Sequence, residues 1–249
     1  MRKHIANCFT LLNLVFGSMA VIQILQGFPE MRGRHMSGME HMCIASLFIC
    51  LAAVVDFLDG LIARMLGAAS EMGKQLDSLA DLVSFGLAPG LIIFEFLKMS
   101  FEASMPGEPL NSWYLLPALI LPCAGAFRLA RFNLRVSSSL EFEGLPIPAG
   151  GILIASFPLI FTFNTSPLVH KLMLSASFWY AVIFLVSFLM VSTLPMMSMK
   201  FKNLSFVKNW PKFLLFVLAI IGAVIFGWLA VPLIFLVYIL FSLVLLPRS

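Results

Sequence analysis

The chain of 249 residues is 61% hydrophobic and only 11% charged, with a net charge of +4 and a mean hydropathy of +1.01. A soluble domain of this length would carry about 25% charged residues, so a large soluble core is excluded and a lipid-facing exterior is implied. The small positive balance suits loops that face anionic headgroups, not nucleic acid.

A membrane-crossing helix needs about 20 mostly apolar residues. In chain order, windows of that size fall at roughly 5–25, 43–66, 74–98, 112–134, 146–165, 174–196, 211–228 and 229–247. The first window starts basic but is too long for a signal peptide and lacks a small-residue cleavage pattern, so it reads as a retained span. The loop from about 26 to 42 is rich in Gly, Met and His and carries no motif. The last two windows form one apolar run broken by Gly227, Trp228 and Pro232. That run is too long for one crossing and reads as a hairpin, with seven spans as the alternative. The expected fold is an all-α integral membrane protein, a polytopic bundle of about eight transmembrane helices.

Short cytoplasmic loops are enriched in Lys and Arg. With the N-terminus inside, Arg2, Lys3, Arg64, Lys74, Arg128, Arg131, Arg135, Lys200, Lys202, Lys208, Lys212 and Arg248 are cytoplasmic, 12 of the 16 basic residues. Arg32, Arg34, Lys98 and Lys171 stay outside. Cys8, Cys43, Cys50 and Cys123 have no paired spacing and read as apolar packing residues.

Two spans hold residues that do not belong in lipid. The chain reads Val55-Asp56-Phe57-Leu58-Asp59-Gly60-Leu61-Ile62-Ala63-Arg64, then Gly73-Lys74-Gln75-Leu76-Asp77-Ser78-Leu79-Ala80-Asp81. One Asp at a helix centre costs about 2.5–3.5 kcal/mol on insertion scales, so four cost about 10–14 kcal/mol, as much as a whole domain's stability. Few basic residues lie nearby, and a divalent cation pair is the natural counter-charge for clustered carboxylates. At helical spacing Asp56, Asp59, Gly60 and Ala63 share one face, and Gly73, Asp77, Asp81 and Ser84 share another. The small residues between the acids would let a bulky ligand approach the backbone. Counted from the inner end, Asp56 lies about 15 Å along its span and Asp81 about 10 Å along the next. The site is therefore shallow, level with the polar head of a lipid. An ion pathway also uses buried carboxylates, but leaves the small-residue pattern and Arg64 without a role.

Written as Asp56-x2-Asp59-Gly60-x2-Ala63-Arg64-x8-Gly73-x3-Asp77-x3-Asp81, the stretch resembles the signature of the CDP-alcohol phosphatidyltransferases at all eight fixed positions over 26 residues. Three further stretches resemble the bacterial and archaeal phosphatidylserine synthases of that family. They are Gly73 to Pro89, Phe127-Arg128-Leu129-Ala130-Arg131-Phe132-Asn133, and Gly144-Leu145-Pro146-Ile147-Pro148-Ala149. The opening Asn7-x2-Thr10-x2-Asn13-x3-Gly17 is similar to theirs too, with Ala6 in place of a usual proline. The resemblance covers residues 5 to about 150.

It implies a homodimer with a six-helix catalytic core, here residues 1–196. Residues 197–249 would add a basic cytoplasmic loop and a transmembrane hairpin. It implies transfer of a phosphatidyl group from CDP-diacylglycerol to L-serine, with release of CMP, in the cell (inner) membrane at a site facing the cytoplasm. Glycerol 3-phosphate or inositol phosphate are the alternative acceptors. By the same resemblance Asp56, Asp59, Asp77 and Asp81 hold two divalent metals, Mg²⁺ or Mn²⁺, and Asp81 is the general base. Gly60, Ala63, Arg64 and Gly73 would bind the CDP-lipid. Asn7 and Thr10 either join them or make ordinary interhelical hydrogen bonds. Arg128, Arg131 and Asn133 either bind serine, one arginine gripping its carboxylate, or anchor the helix end by the positive-inside rule.

Overall fold

A computed structural model describes residues 2–27, 37–65, 67, 70–107, 109–134, 142–196 and 206–245. Arg32, Arg34, Arg135, Lys200, Lys202 and Arg248 lie outside them, as do the side chains of Arg2, Lys3, Ala63, Arg64 and Lys208. The two long opening helices, α1 (Arg2–Gln26) and α2 (Gly38–Met65), pack side by side. Phe16 stacks on Phe48 across them at 6.2 Å. At 1.5 Å per residue they are about 37 and 42 Å long, enough to cross the hydrocarbon layer.

The next segment starts at Ser70, whose hydroxyl accepts from the Gly73 N–H at 3.0 Å and so caps α3 (Glu71–Asp81). The helix then widens into a π-helical stretch, Leu82–Leu87, and tightens again as α4 (Ala88–Ser104). Pro89, with no N–H to return to the preceding turn, sits just after the wide turn. The whole of 71–104 is one helical rod through the middle of the bundle. Neighbouring helices reach it through small residues: a Cβ on Gly17 of α1 would lie 2.8 Å from the Ser84 Cα, and one on Gly151 would lie 3.0 Å from the Phe85 Cα. Such close backbone approach is what holds helices together where lipid removes the hydrophobic drive.

Helix α5 (Ile120–Leu134) is entered through two short 3₁₀ turns, Ser112–Tyr114 and Leu116–Leu119. Then come α6 (Ile147–Phe163), the short α7 (Pro167–Met173) and α8 (Ala176–Val191), with a 70° bend between the last two. Trp179 anchors this end of the core, stacked on Phe96 at 4.4 Å and edge-on to Phe157 and Phe178, its indole N–H donating to the Met173 carbonyl. Among the described residues the only strand pairing is a two-residue antiparallel one of β1 (Phe142–Glu143) with β2 (Pro195–Met196). Beside it Gly144 has φ +70°, and a side chain there would press to 2.8 Å on the carbonyls of Met190 and Ser192.

The chain closes with α9 (Phe206–Phe226), a 3₁₀ turn at Gly227–Leu229 and α10 (Ala230–Leu245). Among the described residues five helical stretches are long and apolar enough to cross a membrane, six when the bent α7–α8 pair counts as one; Trp210–Leu243 enters as a single stretch. Its geometry is that of a turn. A Cβ on Gly222 would lie 3.3 Å from the Ala230 Cβ and 3.7 Å from Ile234, atoms about 12 and 18 Å away in a straight helix. Gly227 (φ +56°) supplies the reversal. The fold is a polytopic all-helical bundle with an aromatic end and an acidic end.

Candidate active site

The acidic end is built by α1, α2 and α3. One carboxylate oxygen each from Asp56, Asp59 and Asp77 lies within 4.8 Å of the other two. Asp56 and Asp59 share a face of α2 because they are three residues apart, and Asp77 comes from the facing turn of α3. Asp59 is buried, while Asp56 and Asp77 are half-buried. Hard oxygen donors at this spacing fit a hard divalent cation. Asp81, one turn beyond Asp77 and also buried, stands outside this triplet but within electrostatic reach of all three of its members.

Helix α1 holds the cluster from the side. The Thr10 hydroxyl donates to Asp59 Oδ2 at 2.9 Å, and the Asn13 amide donates to Asp81 Oδ1 at 3.2 Å. The Ser84 hydroxyl returns a bond to the Asn13 carbonyl at 3.1 Å. Thr10 therefore makes an interhelical bond to a carboxylate. Asn7 lies against Gly73, its Oδ1 3.2 Å from where a Cβ would be. Asn13, given no role by the sequence, is the partner of Asp81, and the three-residue spacing of Asn7, Thr10 and Asn13 places all three on one helical face. A Cβ on Gly60 would meet nothing within 4 Å among the described residues, so that side of the cluster is open. Ala63 and Arg64 continue the same helix toward its end, their side chains outside the described residues.

The three predicted acceptor residues of α5 separate. Arg128 is 7% exposed, its Nε has no hydrogen-bond partner among the described residues, and it lies within electrostatic reach of Asp81 and Arg131. Arg131 reaches the other way: its two terminal nitrogens donate to the carbonyls of Val191 and Ser192 at 2.7 and 2.8 Å. Those carbonyls belong to the end of α8, where helical carbonyls lack partners. The Asn133 side-chain amide donates to Ser78 at 2.8 Å, and the Asn133 main-chain carbonyl accepts from Lys74 at 3.0 Å. Asn133 thus ties the end of α5 to the aspartate helix.

The family model described as CDP-alcohol phosphatidyltransferase matches residues 3–187. A Mycobacterium leprae protein named CDP-diacylglycerol–serine O-phosphatidyltransferase is 32% identical over 202 residues, which is 76% of this chain and 59% of that protein. A Bacillus subtilis protein of the same name is 37% identical over 126 residues, 48% of this chain and 62% of that one. An archaetidylserine synthase from Methanothermobacter thermautotrophicus is 35% identical over 152 residues, 60% of this chain and 56% of that one. The matched segments thus span about three-fifths of the length of these curated relatives.

Proposed function

Because the chain belongs to the CDP-alcohol phosphatidyltransferase family, we propose that it moves the phosphatidyl group of CDP-diacylglycerol to the hydroxyl of L-serine, giving phosphatidylserine and CMP. The observation that carries this reading is the convergence of Asp56, Asp59 and Asp77 beside a separately held Asp81 and a buried Arg128. Asp56, Asp59 and Asp77, with Asp81 at their edge, would hold two divalent ions, Mg²⁺ or Mn²⁺. Such ions neutralise charge on a diphosphate and on the departing phosphate.

The chain's own residues supply the rest. Asp81 accepts the proton of the serine hydroxyl as that oxygen bonds to the lipid-side phosphorus, and the bond from this phosphorus to the CMP oxygen breaks, its electron pair leaving with CMP. Arg128 receives the serine carboxylate, since its guanidinium is buried within electrostatic reach of Asp81 and a fork of N–H donors matches a carboxylate bidentately. Arg131 and Asn133 serve the same pocket indirectly by fixing α5 to α8 and α3. Thr10 and Asn13 orient the acids, while Asn7, Gly60, Ala63, Arg64 and Gly73 line the approach of the CDP-lipid.

The enzyme would lie in the cell membrane with this end toward the cytoplasm, as the Lys/Arg asymmetry of its loops supports. A homodimer rests on family membership alone. The test is CMP release from CDP-diacylglycerol by purified protein against serine, glycerol 3-phosphate and inositol phosphate, with and without a chelator. Release with serine and Mg²⁺ or Mn²⁺ is expected. Release only with a phosphorylated acceptor refutes the serine assignment, and full activity after chelation refutes the metal.

A further inference from the structure

The outer surface of the bundle carries a groove that the acidic site does not use. It runs between α5 and α8, has a volume of about 620 Å³, and is walled by Ile120 and Phe127 on one side and Ile183, Phe184 and Phe188 on the other. Phe184 is 72% exposed at its rim. A bond between neighbouring segments closes each end. At one, the Tyr180 hydroxyl donates to the Tyr114 carbonyl at 2.8 Å; at the other, Arg131 donates to the carbonyls of Val191 and Ser192. From Tyr180 to Val191 the groove is about 16 Å long at 1.5 Å per residue, close to one leaflet's share of a hydrocarbon core about 30 Å thick.

Its chemistry is graded along that length. Arg131 stands at the end that Asn133 ties to α3, its guanidinium carbon 6.0 Å from the centroid of the Phe127 ring. The two bonds to α8 use only part of the donor set of a guanidinium. Lys74 adds a second cation at this end, on the Asn133 carbonyl. One turn deeper, Ser187 lines the groove; it is 6% exposed, and its hydroxyl has no hydrogen-bond partner among the described residues. A staggered rotation about χ1 would bring that hydroxyl to the wall. Beyond it the lining is aliphatic and aromatic as far as Tyr180, whose hydroxyl is already spent. Cation, hydroxyl and hydrocarbon are the complements, in order of depth, of a glycerophospholipid's phosphate, ester carbonyl and acyl chain.

We propose that this groove holds one anionic phospholipid of the surrounding bilayer, with an acyl chain along α5 and α8 and its phosphate on Arg131. A guanidinium fork matches a phosphate, and basic groups at headgroup level select anionic over zwitterionic lipids. The lipid packs beneath the bonds that join α5 to α8, so it stabilises the fold from outside the acidic site. This role is separate from the transfer reaction and does not depend on which acceptor that reaction uses.

The test takes full-length protein in a neutral detergent, adds phosphatidylglycerol or phosphatidylcholine, and follows thermal melting and the lipid retained in native mass spectrometry. Phosphatidylglycerol at about a hundredfold over its dissociation constant should raise the melting temperature by roughly 5–10 °C, with one molecule retained per chain. Phosphatidylcholine should do neither. Cys123→Trp fills the groove from an exposed lining position, and Phe127→Ala removes the ring beside Arg131; each should abolish both the shift and the retained lipid. Phe127→Ala decides alone if the tryptophan variant does not fold. Arg131→Gln, which should melt lower from the outset, should gain nothing from phosphatidylglycerol. No shift in wild type, an equal shift with both lipids, or a shift that survives these substitutions overturns the proposal. So does a wild-type dimer that Cys123→Trp splits into monomers, since a second copy of the chain would then cover the groove.

Discussion

Gly17→Ala is the sharpest probe of how α1 shapes the acidic site. A Cβ at this position would stand 2.1 Å from the Ser84 Oγ and 2.8 Å from the Ser84 Cα, against an ordinary contact of 3.4 Å or more. Rotating Ser84 relieves the first clash and forfeits its bond to the Asn13 carbonyl. The second clash is with backbone and is relieved only by moving α1 outward by about 0.6 Å or more. A shift of that size would stretch the bonds from Thr10 to Asp59, now 2.9 Å, and from Asn13 to Asp81, now 3.2 Å, to the limit of useful hydrogen-bond geometry or past it. Overpacking of this kind costs about 1–3 kcal/mol of stability. A misplacement of about 1 Å in a catalytic group costs about a hundredfold in rate, so a 10- to 100-fold fall in kcat is expected. Steady-state CMP release and thermal melting of the purified variant measure the two effects. Wild-type kcat with an unchanged melting temperature would refute the claim that this helix contact sets the positions of Asp59 and Asp81.

Asp77→Asn should abolish CMP release while yield and elution in detergent stay normal, because a neutral amide is cheaper to bury than a carboxylate; aggregation of the variant would instead assign Asp77 a structural role. Arg131→Lys should lower stability by about 1.5–3 kcal/mol as its paired charge-assisted bonds to Val191 and Ser192 are reduced to one. KM for serine in that variant should stay within about twofold of wild type, equivalent to about 0.4 kcal/mol. Serine titrations and melting curves decide this, and a tenfold rise in serine KM without destabilisation would return Arg131 to the acceptor pocket.

The acidic cluster was legible because its information is periodic. Asp56 and Asp59, and then Asp77 and Asp81, are one turn apart, and helical periodicity alone puts each pair on one face. Span positions were legible for the same reason, through runs of apolar residues. What escaped depends on contacts that no local pattern encodes. The widened turn at Leu82–Leu87 separates two helices in a single predicted span, and its hydrophobic composition is that of any membrane helix. Arg128 and Arg131 look equivalent in sequence, three residues apart on one face, yet one is buried in the bundle and the other caps α8 sixty residues later. Asn13 stood in a recognised pattern, but nothing in the sequence says which carboxylate it meets. The 70° bend before α8 falls at Leu174 and Ser175, and the short helix α7 ahead of it lay between two hydropathy windows, too short to register as a span.

The clamp formed by Arg131 on α8 also has a consequence for how the protein is made. The bonds that steady the acids, Thr10 to Asp59 and Asn13 to Asp81, lie within the first 81 residues, so they can close as soon as the third span leaves the ribosome. The arginine clamp must wait until residue 192 has been synthesised. During that interval the nascent chain already carries its carboxylates inside the bilayer, each costing about 2.5–3.5 kcal/mol without a counter-charge. Until the clamp closes, the bonds from Thr10 and Asn13 are what steadies those carboxylates, so the first helix supports the site before the fifth and eighth are joined.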